Sequence, residues 1–124
     1  MKSQATRLYP FVPSGAHFSR SIEFFEAMGF EKVWEVQGLA RLRFGTAVFL
    51  LQDIEVREWQ TNQMIVFEVT DLDIYWSELE AKDLSVQFPG VSMKPPKEFP
   101  WGREIHIIDL AGVCWHVRDS VSPV

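Results

Sequence analysis

Cysteine is nearly missing from this chain. The single Cys114 rules out an intrachain disulfide and a cysteine-based metal cluster. Basic residues are outnumbered, with 12 Lys and Arg against 17 Asp and Glu, giving a formal net charge of -5. A nucleic-acid partner calls for a clustered basic surface, so none is expected. The acidic balance would suit a cationic small molecule, although many mildly acidic domains are acidic only for solubility. No apolar run approaches the roughly 18 residues of a membrane span, so no membrane partner is expected. The first residues carry no signal-peptide pattern, which makes the cytoplasm the expected location. Also missing are a glycine-rich phosphate loop, a nucleophile elbow and a pair of catalytic carboxylates, so no catalytic residue is assigned.

Aromatic residues, by contrast, are abundant: 10 Phe, 5 Trp and 2 Tyr in 124 residues. That length is one domain, spanning 1–124, with enough chain for a real core. The stretch Pro100-Trp101-Gly102-Arg103-Glu104 leads into a hairpin, with strands at Arg103–Ile108 and Val113–Val117 and a tight turn at Asp109–Gly112. Aromatics and histidine gathered on a hairpin fit either a pocket wall or an ordinary buried hairpin.

Earlier in the chain, Arg7–Val12 reads as a strand interrupted by Pro10, hence an edge, a bulge or a strand that changes partner. Phe18, Ile22, Phe25 and Met28 recur at helical spacing, and Gly29 caps that helix. Strands are expected at Glu31–Val36, Leu39–Phe44 and Ala47–Leu51, followed by a polar linker over Asp53–Asn62. The pattern then restarts with a strand at Gln63–Val69 and a helix over Leu72–Asp83 opened by capping residues. A strand at Leu84–Phe88 and a proline-broken loop over Pro89–Pro100 precede the hairpin.

Strand, helix and three strands thus occur twice, an internal duplication. Pro10 and Met64, Ile22 and Trp76, and Phe25 and Leu79 are each 54 residues apart, while Gly45–Leu50 matches Gly112–Val117 at an offset of 67. The expected fold class is α+β: two tandem βαβββ modules, residues 5–52 and 62–119, forming a half-open sheet barrel around a cleft.

Paired βαβββ modules resemble the vicinal oxygen chelate superfamily of glyoxalases, fosfomycin-resistance enzymes, ring-cleaving dioxygenases and bleomycin-resistance proteins. The resemblance runs from Arg7 to Asp119. Ser21-Ile22-Glu23-Phe24-Phe25 with Gly29-Phe30 is similar to the superfamily's first-helix pattern. Pro100-Trp101-Gly102-Arg103-Glu104 and Asp109-x-Ala111-Gly112-x-Cys114-x-His116 are similar, more specifically, to the bleomycin-resistance proteins.

Metal-dependent relatives place their ligands on the first and last strand of each module. Carried over, those positions are Pro10, Phe49, Met64 and His116. Proline and phenylalanine cannot ligate, a thioether is a poor partner for hard ions, and one imidazole falls short of the roughly three ligands of a catalytic site. A shift of one residue gives Tyr9, Leu50, Gln63 and Trp115, no better. The resemblance therefore implies no metal and no cofactor.

It further implies a homodimer, with strand exchange near Pro10, that binds a planar cationic antibiotic of the bleomycin type in interface clefts and sequesters it without chemistry. The implied ligand-binding residues are Trp101 and Gly102, with Trp34 as a second ring, and Phe49, Met64 and His116 at the former ligand positions. An indole face offers area and cation–π attraction to such a ligand. By their neighbours alone, Trp101 fits sheet-edge packing as well as ligand contact, and His116 fits a satisfied buried histidine as well as a working one. Cys114 reads as an inert small hydrophobe, and His17 and His106 receive no role. The alternative is a divergent metal-dependent glyoxalase- or dioxygenase-like enzyme that joins His116 to ligands from elsewhere.

Overall fold

The computed structural model describes residues 2–120; residue 1 and residues 121–124, the ends of the expected 1–124 domain, lie outside the described residues. The chain opens with β1 (Phe11–Pro13), α1 (Phe18–Met28), β2 (Glu31–Val36), β3 (Leu39–Phe44) and β4 (Ala47–Gln52). A short helix, α2 (Arg57–Asn62), leads to β5 (Met64–Val69), α3 (Leu72–Ala81), α4 (Leu84–Gln87), β6 (Ser92–Phe99), β7 (Gly102–Ile108) and β8 (Cys114–Asp119). The two four-stranded sheets run β1-β4-β3-β2 and β5-β8-β7-β6. In each, the strand before the long helix lies parallel to the last strand, and the other pairings are antiparallel. This is an α+β fold of two mixed sheets that do not close into a barrel.

Local chemistry explains both long helices. The apolar stripe of α1 buries Ile22, Phe25 and Met28, and Gly29, at φ 114°, ends it with its N–H turned back to Phe25 and Glu26 carbonyls. Asp71 caps α3 by accepting the Ile74 N–H at 3.0 Å. Both helices pack into one core shared by the two modules. Phe25 of α1 lies 4.9 Å from Phe49 on β4 and 5.2 Å from Trp115 on β8, ring centre to ring centre. Phe30 meets Phe67 of the other module at 5.5 Å. Many of the rings are therefore core, in the edge-to-face arrangements that aromatic quadrupoles favour.

Tyr75 ties the modules together by a hydrogen bond from its hydroxyl to the Met28 carbonyl at 2.7 Å. Burial, with a smaller contribution from Glu78, pushes its phenol well above the usual tyrosine range. A phenol that holds its proton more tightly when folded stabilises fully below pH ~10 and loses that contribution as pH rises further. Tyr75→Phe is expected to cost about 1 kcal/mol at pH 8. Urea midpoints at pH 8 and pH 11 should converge between wild type and variant at the higher pH.

Four expected elements differ in the structure. The strand expected over Arg7–Val12 is reduced to Phe11–Pro13, because Pro10 has no N–H for the ladder; its carbonyl still accepts the Leu50 N–H at 2.9 Å. Leu84–Phe88 forms the helical turn α4, not a strand. Asp83, at φ 53°, turns the chain so that Leu84 drops into the core while Val86 stays exposed. The proline loop contains the edge strand β6, whose pairing with β7 breaks between Lys94 and Lys97, around Pro95 and Pro96. An edge strand with a bulge tolerates proline where a central strand does not. The linker also contains a helix, α2.

The duplication holds with two corrections of register, one in the first strands, where Phe11 and Val66 are counterparts in place of Pro10 and Met64, and one in the last strands. Leu42 pairs with Phe49, and Ile107 with Trp115, all four on the core side. Phe49 therefore corresponds to Trp115, an offset of 66, and not to His116. The β3–β4 turn is Gly45–Thr46, whereas the β7–β8 connection runs Asp109–Val113, so matching the two glycines misplaces the strands by one residue.

Candidate functional site

Strand alternation sorts the β7–β8 hairpin into two faces. Ile105, Ile107, Trp115 and Val117 enter the core. Glu104 and His106, with Cys114, His116 and Arg118, occupy the opposite face. His106 pairs directly with His116 and Glu104 with Arg118, which brings the two imidazole centres to 4.4 Å.

Glu104 is the centre of this face. One carboxylate oxygen, Oε1, lies 2.8 Å from His106 Nε2 and 2.9 Å from His116 Nδ1. The other, Oε2, accepts the Trp101 indole N–H at 2.7 Å and the Arg118 Nε–H. Glu104 is only 1% exposed. Burial alone would raise its carboxyl, but the hydrogen bonds from His116, His106, Trp101 and Arg118 outweigh burial and hold it down at about 2. A charged carboxylate therefore sits beneath the surface, enclosed by donors.

That carboxylate positions an aromatic ladder. With its N–H held by Glu104, Trp101 stacks on Phe99 at 5.3 Å and 9° between planes, and Phe99 stacks in turn on His106 at 5.2 Å. Trp101 remains 55% exposed. One indole face is covered and oriented, and the ring still presents open area to a flat ligand. Gly102, at φ 128°, follows Trp101 and begins β7 opposite Phe99.

The structure brings together Trp101, Gly102 and His116, with Met64 on the adjacent strand beside Cys114. It does not bring Phe49 there. Phe49, 2% exposed, packs its ring against Trp115 in the core at 4.9 Å, so it is removed from the ligand-binding set. Trp34 lies on the other sheet, opposite Arg41. The positions level with His116 are also revised by the register. Val66 pairs with His116, and Phe11 with Leu50, the counterpart of His116 in the first module. Phe11, Leu50 and Val66 have no donor atoms, so the residues at the superfamily's ligand positions do not fit its metal.

Four members of the cluster were given no role from the linear sequence: Glu104, its hub and the last residue of the Pro100–Glu104 motif, with His106, Phe99 and Arg118. Cys114 places its sulfur 3.5 Å from His116 Nε2, and burial, followed by the charges of Glu104 and Asp109, pushes its thiol up, away from the reactive thiolate. Two concavities are also present. One of about 930 Å³ runs between the β3–β4 turn, β5 and α3. Another of about 490 Å³ is lined by Phe11, Pro13 and Trp59. Neither is lined by Trp101, although Arg118 of the cluster lines the first of them.

No protein-family model and no curated protein sequence matches the chain. Among solved structures, it is similar to a bleomycin-binding protein from bleomycin-producing Streptomyces verticillus, complexed with copper(II)-bleomycin. That match has 25% identity over 96% of this chain and 99% of the other, with a TM-score of 0.78. It is similar in fold to the bleomycin resistance determinant encoded on the transposon Tn5, at 18% identity over 94% and 99% of the two chains and a TM-score of 0.77. It also shares the fold of FosX, a fosfomycin resistance protein from Listeria monocytogenes complexed with Mn(II) and sulfate, at 15% identity over 96% and 91% and a TM-score of 0.68. The fold is that of the vicinal oxygen chelate superfamily. Within it, the likeness is greater to the bleomycin-binding proteins than to FosX. No helix among the described residues is long and apolar enough to cross a membrane.

Proposed function

We propose that this protein binds and sequesters a planar, cationic antibiotic of the bleomycin type, without chemical change, as a homodimer. The observation that carries this reading is Trp101: its N–H is fixed by a buried carboxylate, one face rests on Phe99, and the ring is still half exposed. A pre-oriented indole loses little freedom on stacking a flat heteroaromatic ring, so the stacking energy goes into affinity. Glu104 beneath it, its charge balanced by Arg118, serves to hold the ring in place.

The dimer is supported by the apolar groups that a single chain leaves open. Leu8 is 94% exposed on a segment, residues 2–10, without regular structure, and Phe11, Val66 and Met64 are exposed on or beside the first strand of each module. Exchange of the arm near Pro10 would cover them. It would also let the first-module sheet of a second copy roof the Trp101 face and supply Trp34 as the opposing ring. The rival reading, a metal-dependent enzyme of the same superfamily, is favoured by one observation: His116 has Glu104 and His106 beside it.

The test is a tryptophan-fluorescence titration of chelator-treated protein with metal-free bleomycin and one other planar cationic antibiotic. Saturable quenching near one or two ligands per dimer, lost in Trp101→Ala, is the expected result. No response to either drug from folded protein would overturn the sequestration reading. Chelator-sensitive turnover of a small substrate would establish the rival.

A further inference from the structure

We infer that Glu104, His106 and His116 form a binding site for one divalent first-row transition ion of the zinc or cobalt type, built on β7 and β8 and sharing only His116 with the superfamily's ligand positions. One ligand atom from each of the three residues lies within 4.8 Å of the other two, the spacing of a ligand triangle around a small ion. Two imidazoles and one carboxylate are a donor set that suits borderline ions with open coordination positions. His106 Nε2 and His116 Nδ1 both point at the same oxygen, Oε1, so their lone pairs would converge once an ion replaced the protons between them.

The surrounding contacts have the arrangement that metal sites use to orient ligands. Oε2 is occupied by Trp101 and Arg118, which leaves Oε1 free for the ion and fixes the plane of the carboxylate. His116 keeps its other nitrogen, Nε2, 3.5 Å from the Cys114 sulfur, a neutral acceptor for its remaining N–H. His106 is held by its stack on Phe99. The two histidine side chains are 26% and 19% exposed, so an ion has an entry path and its remaining positions face outward. The nearby Arg118 charge opposes a cation, which sets an upper limit on affinity. The site stands independently of the antibiotic reading, since it requires no drug.

The experiment uses the full chain, chelator-treated, titrated with Co²⁺ and followed by visible absorption, then displaced with Zn²⁺. One Co²⁺ per chain is expected. The chain has only 3 histidines, so the controls are clean. His106→Ala and His116→Ala should each lose more than about 100-fold in affinity, and Trp101→Phe, which removes an outer hydrogen bond, about tenfold. His17→Ala should leave binding unchanged. His106 is partly exposed, so its variant stays folded even if the His116 variant does not; near-UV ellipticity checks this. Failure of wild type to bind either ion in the micromolar range would overturn the proposal. So would binding that survives His106→Ala undiminished, or that disappears in His17→Ala.

Discussion

Replacing Trp115 with alanine should cost about 4 kcal/mol, most of the stability of a small domain, and leave the protein largely unfolded near physiological temperature. Trp115 is 1% exposed and stands between the modules. Its ring lies 5.2 Å from Phe25, 4.9 Å from Phe49 and 6.1 Å from Phe67, which come from α1, β4 and β5. Deleting it opens a cavity that neither sheet can collapse into without losing its own register. The indole also donates to Asp109 Oδ2 at 2.9 Å, and Asp109 Oδ1 accepts the backbone N–H groups of Ala111, Gly112 and Val113. The ring therefore braces the turn that sets the pairing of His106 with His116. Trp115→Phe keeps most of the packing and should cost only about 1–2 kcal/mol, mainly from the lost donor. Urea unfolding followed by far-UV ellipticity checks both, and a small effect of the alanine variant would mean that the modules are held together elsewhere.

The architecture was legible because it depends on repetition. Helical spacing in Phe18, Ile22 and Phe25, repeated 54 residues later in Leu72, Trp76 and Leu79, required no knowledge of contacts. The register of the last strands was not legible, because the loops that close the two hairpins differ in length. A glycine-to-glycine match then swapped a core position, Phe49, for an open-face one. The Leu84–Phe88 error came from a short apolar run with no period of its own, where the left-handed Asp83 decided the path.

The site was half visible. Trp101 and His116 stood out by residue type and motif. Glu104, though part of the same motif, and His106 were given no role, yet one signal could have found them. If the turn pairs Ile108 with Cys114, then His106 faces His116, and strand alternation puts Glu104 on the same face. Phe99 was hidden more thoroughly, since the neighbouring prolines argued against a strand that would place its ring beside His106.

Glu104 is where fold and site depend on the same atoms. Glu104→Ala should destabilise the apo protein by about 2–3 kcal/mol and weaken antibiotic binding by tenfold or more. Removing the carboxylate leaves the donors of Trp101, Arg118 and the two histidines without their common acceptor, although their partial exposure lets water replace part of what is lost. Trp101 would then lose its fixed orientation and its stack on Phe99 would loosen, so the indole emission of this variant should shift to the red. The pH dependence separates the charge from the packing. The folded carboxyl is held down at about 2, below the ordinary glutamate value of 4.5, so its stabilisation is fully present above pH ~4.5 and is lost as pH falls through about 2. Wild type measured with a chelator present should lose stability steeply across that window, and Glu104→Gln should lose less. Parallel acid profiles would show that the carboxylate serves as a spacer for the ring ladder, and the orientation of Trp101 would then have to come from Phe99 alone.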